Sequence, residues 1–245
     1  MDLNIGIIIP VRFESGRFPG KPLIDIFGKT MVQRTWERSI MALPQDQVYI
    51  ATDDERIFKH VESFGAQAIM TSVDCLTGTD RLAEANLKLD LDIVINVQGD
   101  EPIIDPDDIK KVIDFSLANP SAIINAYSKI KEEKEFRSLT VPKVVKSIDN
   151  KLLYMSRAAL PGSKANKFYF GFKQICIYAF PKQALQSFAK NAQKSPFEMI
   201  EDIEILRFLE NGFEVMMVEV EGNSLAVDVE EDLEIVKKRL INETK

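Results

Sequence analysis

The first 120 residues alternate short β-branched runs with stretches of helical spacing, and few folds accept that rhythm. Ile5 to Ile9 is a continuous apolar run of strand length, as expected of a strand buried on both faces. Met31 to Ala42 then has helical spacing, Gln47 to Ala51 is strand-like, and Glu55 to Phe64 reads as a helix closed by Gly65. Ala66 to Met70, Arg81 to Leu89 and Ile93 to Val97 continue as strand, helix and strand. Pro106 to Leu117 follows as a helix opened by Asp105, with Asp107 and Asp108 in its first turn. Such alternation predicts right-handed βαβ units in an α/β fold, with a mainly parallel twisted sheet and helices on both faces. After residue 120 the rhythm loosens. Lys143 to Ile148, Leu152 to Met155, Lys173 to Phe180 and Glu214 to Val220 read as strands, and Phe197 to Glu210 and Glu231 to Ile241 as helices. No linker or repeat interrupts the chain, so residues 1–245 are expected to form one domain, with an elaborated second half from about residue 126. The stretch Ser163 to Phe170 reads as a flexible or partner-facing excursion.

Scarce residue types exclude more than abundant ones suggest. With 31 Lys and Arg against 38 Asp and Glu, the formal net charge is −7, a poor footprint for nucleic acid or an anionic membrane. A single histidine, His60, rules out two-histidine zinc motifs, and its helical, charged surroundings read as surface. Cys75 and Cys176 lie far apart, so neither a disulfide scaffold nor a CxxC site is expected, and Cys176 in its apolar run reads as core. No two glycines stand in G-x-G spacing, which removes the dinucleotide-binding fingerprint. The opening residues resemble neither a secretory signal nor a membrane span, so a cytoplasmic location is expected.

Ligands of open α/β sheets bind beyond the carboxyl ends of the strands, and three such ends carry unusual text. After the first strand, Pro10 to Pro22 holds Arg12, Arg17 and Lys21 together with Gly16 and Gly20 in an otherwise acidic chain. Glycine lets the backbone approach a ligand, and the cations supply what a polyphosphate needs. It is not a Walker A loop, because three residues separate the glycines and Pro22 stands where a hydroxyl should bind magnesium. Thr77-Gly78-Thr79-Asp80 brings hydroxyls and a glycine to a helix entry, suited to a nucleotide base or simply to capping by Asp80. Gln98-Gly99-Asp100-Glu101-Pro102 places a carboxylate at the end of an uncharged strand, where it could hold Mg²⁺ against phosphate oxygens or merely shape a turn. Asp228 offers a second carboxylate, and with Glu231 it also spells a capping box.

Taken together, IPVRFESGRFPGKPLIDIFGKTMVQ, VYIATDDERI, TGTDRLAE and VINVQGDEP resemble the 3-deoxy-manno-octulosonate cytidylyltransferases (CMP-Kdo synthetases), and weaker matches run to VDVEEDLEIVKKRL. The resemblance implies the nucleotide-diphospho-sugar transferase fold, Rossmann-like, with a nucleotide-binding half at 1–125 and an acceptor, metal and dimer half at 126–245. It implies a Mg²⁺-dependent reaction in which CTP and a 3-deoxy-2-keto sugar acid give the CMP-sugar and pyrophosphate. Carried onto this sequence, Arg12, Ser15, Arg17 and Lys21 would grip the triphosphate, and Thr79, Arg81 and Gln98 would place the nucleotide. Asp100 and Asp228 would ligate Mg²⁺, and Arg157, Gln174, Tyr178 and Glu204 would face the sugar. Arg12, Lys21, Asp100 and Asp228 are the residues expected to carry the chemistry. The reaction is mostly alignment and charge neutralisation, so no histidine base is needed.

The departures concentrate on the sugar side. Gln174 stands where the family has His, Ile205 where it has Gln, and Cys75 where it has His, while Val229 and Glu230 replace the Thr-Pro of its VDTPEDL ending. Lost hydrogen-bonding groups alter which substrate a pocket accepts. The acceptor is therefore expected to be Kdo or a close relative, with another acidic sugar such as a nonulosonate, or a non-catalytic nucleotide-binding role, as alternatives. The resemblance also implies lipopolysaccharide biosynthesis and a homodimer, to which Ile175 to Phe180 and Phe168-Tyr169-Phe170 could contribute.

Overall fold

The computed structural model describes residues 3–14, 18–190 and 193–243. The first half holds strand β1 (Ile5–Val11), the short ribbon β2 (Asp25–Ile26) and β3 (Lys29–Thr30), and helix α1 (Met31–Ser39). Next come β4 (Val48–Thr52), α2 (Glu55–Ser63), β5 (Gln67–Met70), α3 (Gly78–Leu89), β6 (Ile93–Val97) and α4 (Pro106–Ala118). The second half holds β7 (Ile123–Lys129), α5 (Glu133–Arg137), β8 (Lys143–Lys146), β9 (Leu152–Ser156) and β10 (Phe172–Pro181). It closes with α6 (Lys182–Lys190), α7 (Pro196–Glu201), α8 (Ile205–Glu210), β11 (Val215–Glu219) and α9 (Glu230–Glu243). Among the described residues no helix is long and apolar enough to cross a membrane.

The main sheet runs β11-β7-β10-β6-β1-β4-β5, with β8 paired to the start of β10 and β9 paired to β8. β5, β4, β1 and β6 are mutually parallel, as are β11 and β7, while β10 lies antiparallel between β6 and β7. β1 and β6 are buried throughout because side chains alternate across the sheet. Ile7 and Ile9 pack on one face with Trp36 and Ile109, and Ile8 packs on the other with Leu82, Phe180 and Phe208. After β1 the chain crosses to β4 and β5 on one side, then returns to β6 on the other. The ends of β1 and β6 therefore form the topological switch point where such sheets bind ligands. Close approach there depends on Gly99, where a Cβ would lie 2.2 Å from Val11 Cγ1 and 3.0 Å from the Pro10 carbonyl oxygen.

The sequence reading lacks the β2–β3 ribbon, α5 and α6, and two further elements of the structure differ from it. β7 has no counterpart in it because IINAYSK mixes buried Asn125 and Ser128 with apolar residues, hiding both alternation and a continuous run. Asn125 is there to mend the sheet: its Nδ2 donates to the Ile175 and Ile177 carbonyls at 3.0 Å each, across the bulge where β10 changes register. The helix expected at Phe197 to Glu210 is two helices, α7 and α8, parted at Asp202. That residue takes the left-handed conformation (φ 51°), which aspartate tolerates better than most, although no glycine or proline marks the break.

Candidate active site

At the switch point a cleft of about 260 Å³ opens between the two halves of the chain. Arg12 reaches it from the end of β1, and Gln98, Gly99 and Asp100 from the end of β6. Lys21 arrives by a tight turn. Gly20 has φ 72° and donates its N–H to the Phe13 carbonyl at 2.9 Å, closing the base of the cation loop, and Pro22 starts a 3₁₀ turn at Lys21–Leu23. Lys21 Nζ then donates to Asp100 Oδ2 at 2.8 Å and to the Val227 carbonyl at 2.7 Å, and lies 3.7 Å from Asp228 Oδ1. The Val227 N–H in turn donates to the Asp100 carbonyl at 2.9 Å. Val227 is anchored by a small apolar cluster with Ile26, Met31, Ile103, Leu233 and Val236, so α9 and the β2–β3 ribbon deliver Asp228 to Asp100. Residues 79 to 207 positions apart in sequence thus meet around one ammonium.

The other wall is built on the start of α3. Thr77 caps the helix and Asp80 reaches back to it, so α3 starts at Gly78 rather than at Arg81, as the sequence suggests. Glu204 seats its carboxylate on this helix terminus, accepting from Gly78 N at 3.1 Å, Thr79 N at 2.8 Å and Thr79 Oγ1 at 2.5 Å. Burial raises the Glu204 pKa despite these bonds. Arg207, fully buried, bridges Glu198 (2.6 and 2.7 Å) and Asp80 (3.0 Å) and lies over the Phe188 ring at 3.7 Å. Burial works against its charge, but the carboxylates outweigh it and raise its pKa. Arg81 lines the cleft while tying Asp53 (2.7 Å) to Thr71 (2.5 Å), which locks the ends of β4 and β5 together.

Several expected residues stand elsewhere. Ser15 and Arg17 lie outside the described residues. Thr79 is buried behind the cleft, with its hydroxyl on Glu204. Arg157 is absent from the cleft lining; its guanidinium donates to the carbonyls of Glu201 (2.5 Å), Leu139 and Asp202 (3.1 Å each). Gln174 donates to Asn125 Oδ1 at 3.1 Å and so braces the β10 bulge, Ile205 is core, and Tyr178 stacks on Phe180 at 5.6 Å in the buried layer. Among the departures from the family pattern at 75, 174 and 205, Cys75 alone lines the cleft. His60 is half-buried rather than a plain surface residue, with Nε2 2.8 Å from Thr30 Oγ1. Asp232, not Glu231, is the carboxylate that reaches back to the N–H groups of Asp228 and Val229. Sequence reading did not single out Lys194, Asp202 or Arg207, because only the break after α7 brings them beside α3. A second hollow, of about 450 Å³ between α3 and α6, is larger, but its lysine, Lys182, is tied to Asp90 at 2.5 Å and, among the described residues, no other cation lines it.

The carboxylates suit a hard divalent ion. Among the described residues no cluster of three or more His, Cys, Asp or Glu side chains makes a closed metal cage. Mg²⁺ commonly takes one or two carboxylates and completes its octahedron with water and phosphate oxygens, which is what Asp100 and Asp228 offer at a cleft wall. Beneath them Glu101 is buried, with its carboxyl pushed up to about 8, first by burial and then by the Asp100 charge, against a bond from Ser224. The sign follows. A raised folded-state value gives stability that is complete below pH 4.5 and lost as pH rises through 8, at up to about 1.4 kcal/mol per pH unit. Glu101→Gln should match the parent near pH 4.5 and become progressively more stable than it from pH 5 to 8 in thermal melts. A constant difference across that range would show that Glu101 is ionised in the folded protein.

The cytidylyltransferase family profile matches residues 6–221. A 3-deoxy-manno-octulosonate cytidylyltransferase of Geobacter metallireducens is 41% identical over 97% of this chain and 98% of its own length. One from Zea mays is also 41% identical, over 94% of this chain and 78% of its own. An 8-amino-3,8-dideoxy-manno-octulosonate cytidylyltransferase of Shewanella halifaxensis is 37% identical over 97% of this chain and 99% of its own. Among solved structures, a CMP:2-keto-3-deoxy-manno-octonic acid synthetase complexed with CTP superposes with a TM-score of 0.90 at 35% identity, over 98% of this chain and 99% of that one.

Proposed function

Because this chain belongs to the 3-deoxy-manno-octulosonate cytidylyltransferase family, we propose that it couples CTP to an acidic 2-keto sugar, Kdo first, releasing pyrophosphate and forming the CMP-sugar with Mg²⁺ as cofactor. The observation that carries this reading is the meeting of Lys21, Asp100 and Asp228 at the end of β1 and β6. Transfer needs the triphosphate held with its α-phosphorus open to the sugar's anomeric hydroxyl, and the charge growing on the departing pyrophosphate neutralised. Arg12 and Lys21 supply cationic charge at that end of the cleft. With a nucleotide bound, the Lys21 ammonium can exchange one carboxylate for phosphate oxygens without leaving the Val227 carbonyl. Asp100 and Asp228 would hold Mg²⁺, which when bound adds charge neutralisation on the phosphates and acidifies a hydroxyl beside it. Gln98 and Gly78 line the adjoining floor, where the nucleoside would rest. The Glu204 carboxylate, engaged by Gly78 and Thr79, fixes that floor.

Pyrophosphate release from CTP with a panel of 2-keto sugar acids tests the reading. The expected result is Mg²⁺-dependent turnover with Kdo, and the 8-amino analogue is the second arm because of the Shewanella relative. No release with any 2-keto acid would overturn the function. Release with a nonulosonate alone would overturn the choice of sugar.

A further inference from the structure

We propose that Lys194 binds the carboxylate of the acceptor sugar and that Asp202 holds its ammonium in place until the acceptor arrives, an assignment that rests on the cytidylyltransferase reading. Among the described residues, the charges lining the cleft divide evenly between the cations Arg12, Lys21, Arg81 and Lys194 and the carboxylates Asp100, Asp202, Glu204 and Asp228. Three of the cations have other work. Arg81 is spent on Asp53 and Thr71, Lys21 spans Asp100 and the Val227 carbonyl, and Arg12 stands with Lys21 at the phosphate end. With Mg²⁺ on Asp100 and Asp228, an acid sugar entering the cleft still meets the carboxylates of Asp202 and Glu204, whose repulsion a cation beside them offsets. Lys194 is that cation.

Its setting fits the task. Lys194 precedes α7 and Asp202 ends it, and Lys194 Nζ lies 2.8 Å from Asp202 Oδ1 across the helix. The Asp202 backbone is held at φ 51° with its N–H on the Glu198 carbonyl at 2.8 Å and its own carbonyl accepting from Arg157 at 3.1 Å. The turn is thus fixed from both sides and presents the Asp202 carboxylate, 71% exposed, to the cleft. The Arg157 guanidinium also lies 4.0 Å from Asp202 Oδ2, so this carboxylate stays compensated when Lys194 swings to an incoming anion. Lysine suits such a role because its ammonium is a point charge on a flexible stem.

The test separates an acceptor contact from a mere staple across α7. Lys194→Ala should raise KM for the acceptor about 10- to 100-fold, the cost of one charge-assisted bond, while KM for CTP stays within about twofold. Lys194→Arg should recover most of the loss, and Asp202→Asn, which keeps the left-handed turn, should leave acceptor KM equal or lower. Equal rises in both KM values with a lower melting temperature would make the pair structural and overturn the assignment, as would a rise for CTP alone. Normal turnover by the parent enzyme with an unmoved acceptor KM in Lys194→Ala would overturn this assignment and leave the function standing. No turnover with any 2-keto acid would overturn both.

Discussion

Asp100→Asn should lower kcat by about a hundredfold or more while the protein melts within about 3 °C of its parent. The asparagine keeps the shape and one acceptor oxygen but loses the charge that balances Lys21 and would hold Mg²⁺. Neutralising that charge weakens every phosphate-facing interaction that depends on it, and those interactions matter most when the pyrophosphate is leaving. The fold has little at stake. Lys21 and Asp100 are 13% and 28% exposed, but the ammonium keeps the Val227 carbonyl at 2.7 Å and Asp228 at 3.7 Å, so loss of the Asp100 charge does not strand it. Pyrophosphate release at saturating substrate, read beside a thermal melt, checks both halves. Activity near the parent's would remove Asp100 from the reaction, and a fall of 10 °C or more would make its role structural.

Arg207→Met should have the opposite profile, with a stability loss of about 3–5 kcal/mol and loss of activity only as a consequence. Glu198 is fully buried and takes two bonds from this guanidinium, so removing the arginine strands a carboxylate in the core. Asp80, the residue that reaches back to cap α3, loses its partner at the same stroke. Adding Glu198→Gln to Arg207→Met should restore part of the loss, because the stranded charge goes with it, whereas independent sites would add. Chemical denaturation of the two single variants and the double variant gives the coupling. A simple sum would mean that the pair contributes only packing.

What could be read from the chain alone was whatever short-range pattern encodes. The run Ile5 to Ile9 and the uncharged strand ahead of Asp100 announced central strands, since a strand buried on both faces needs apolar side chains at consecutive positions. The density of cations and glycines between Pro10 and Pro22 marked, for a similarly local reason, the segment that carries Arg12 and Lys21 to the cleft. β7 escaped because the merit of Asn125 lies in two carbonyls of a strand about fifty residues away. Gln174 and Ile205 stood out only as departures from a family pattern; the structure shows one bracing that same bulge and the other filling the core.

Local sequence thus determined the α/β alternation, the strand ends that matter and the acidic and basic residues available there. Tertiary structure decided which of those charges meet. It brought Asp228 onto Lys21 through the cluster around Val227, and it broke the predicted helix at Asp202 so that Glu204, Lys194 and Arg207 gather beside α3. The physical reason is range. Strand and helix patterns are set by neighbours within a few residues, whereas a cleft is set by side chains whose pairing is stable only after the sheet has closed the distance between them.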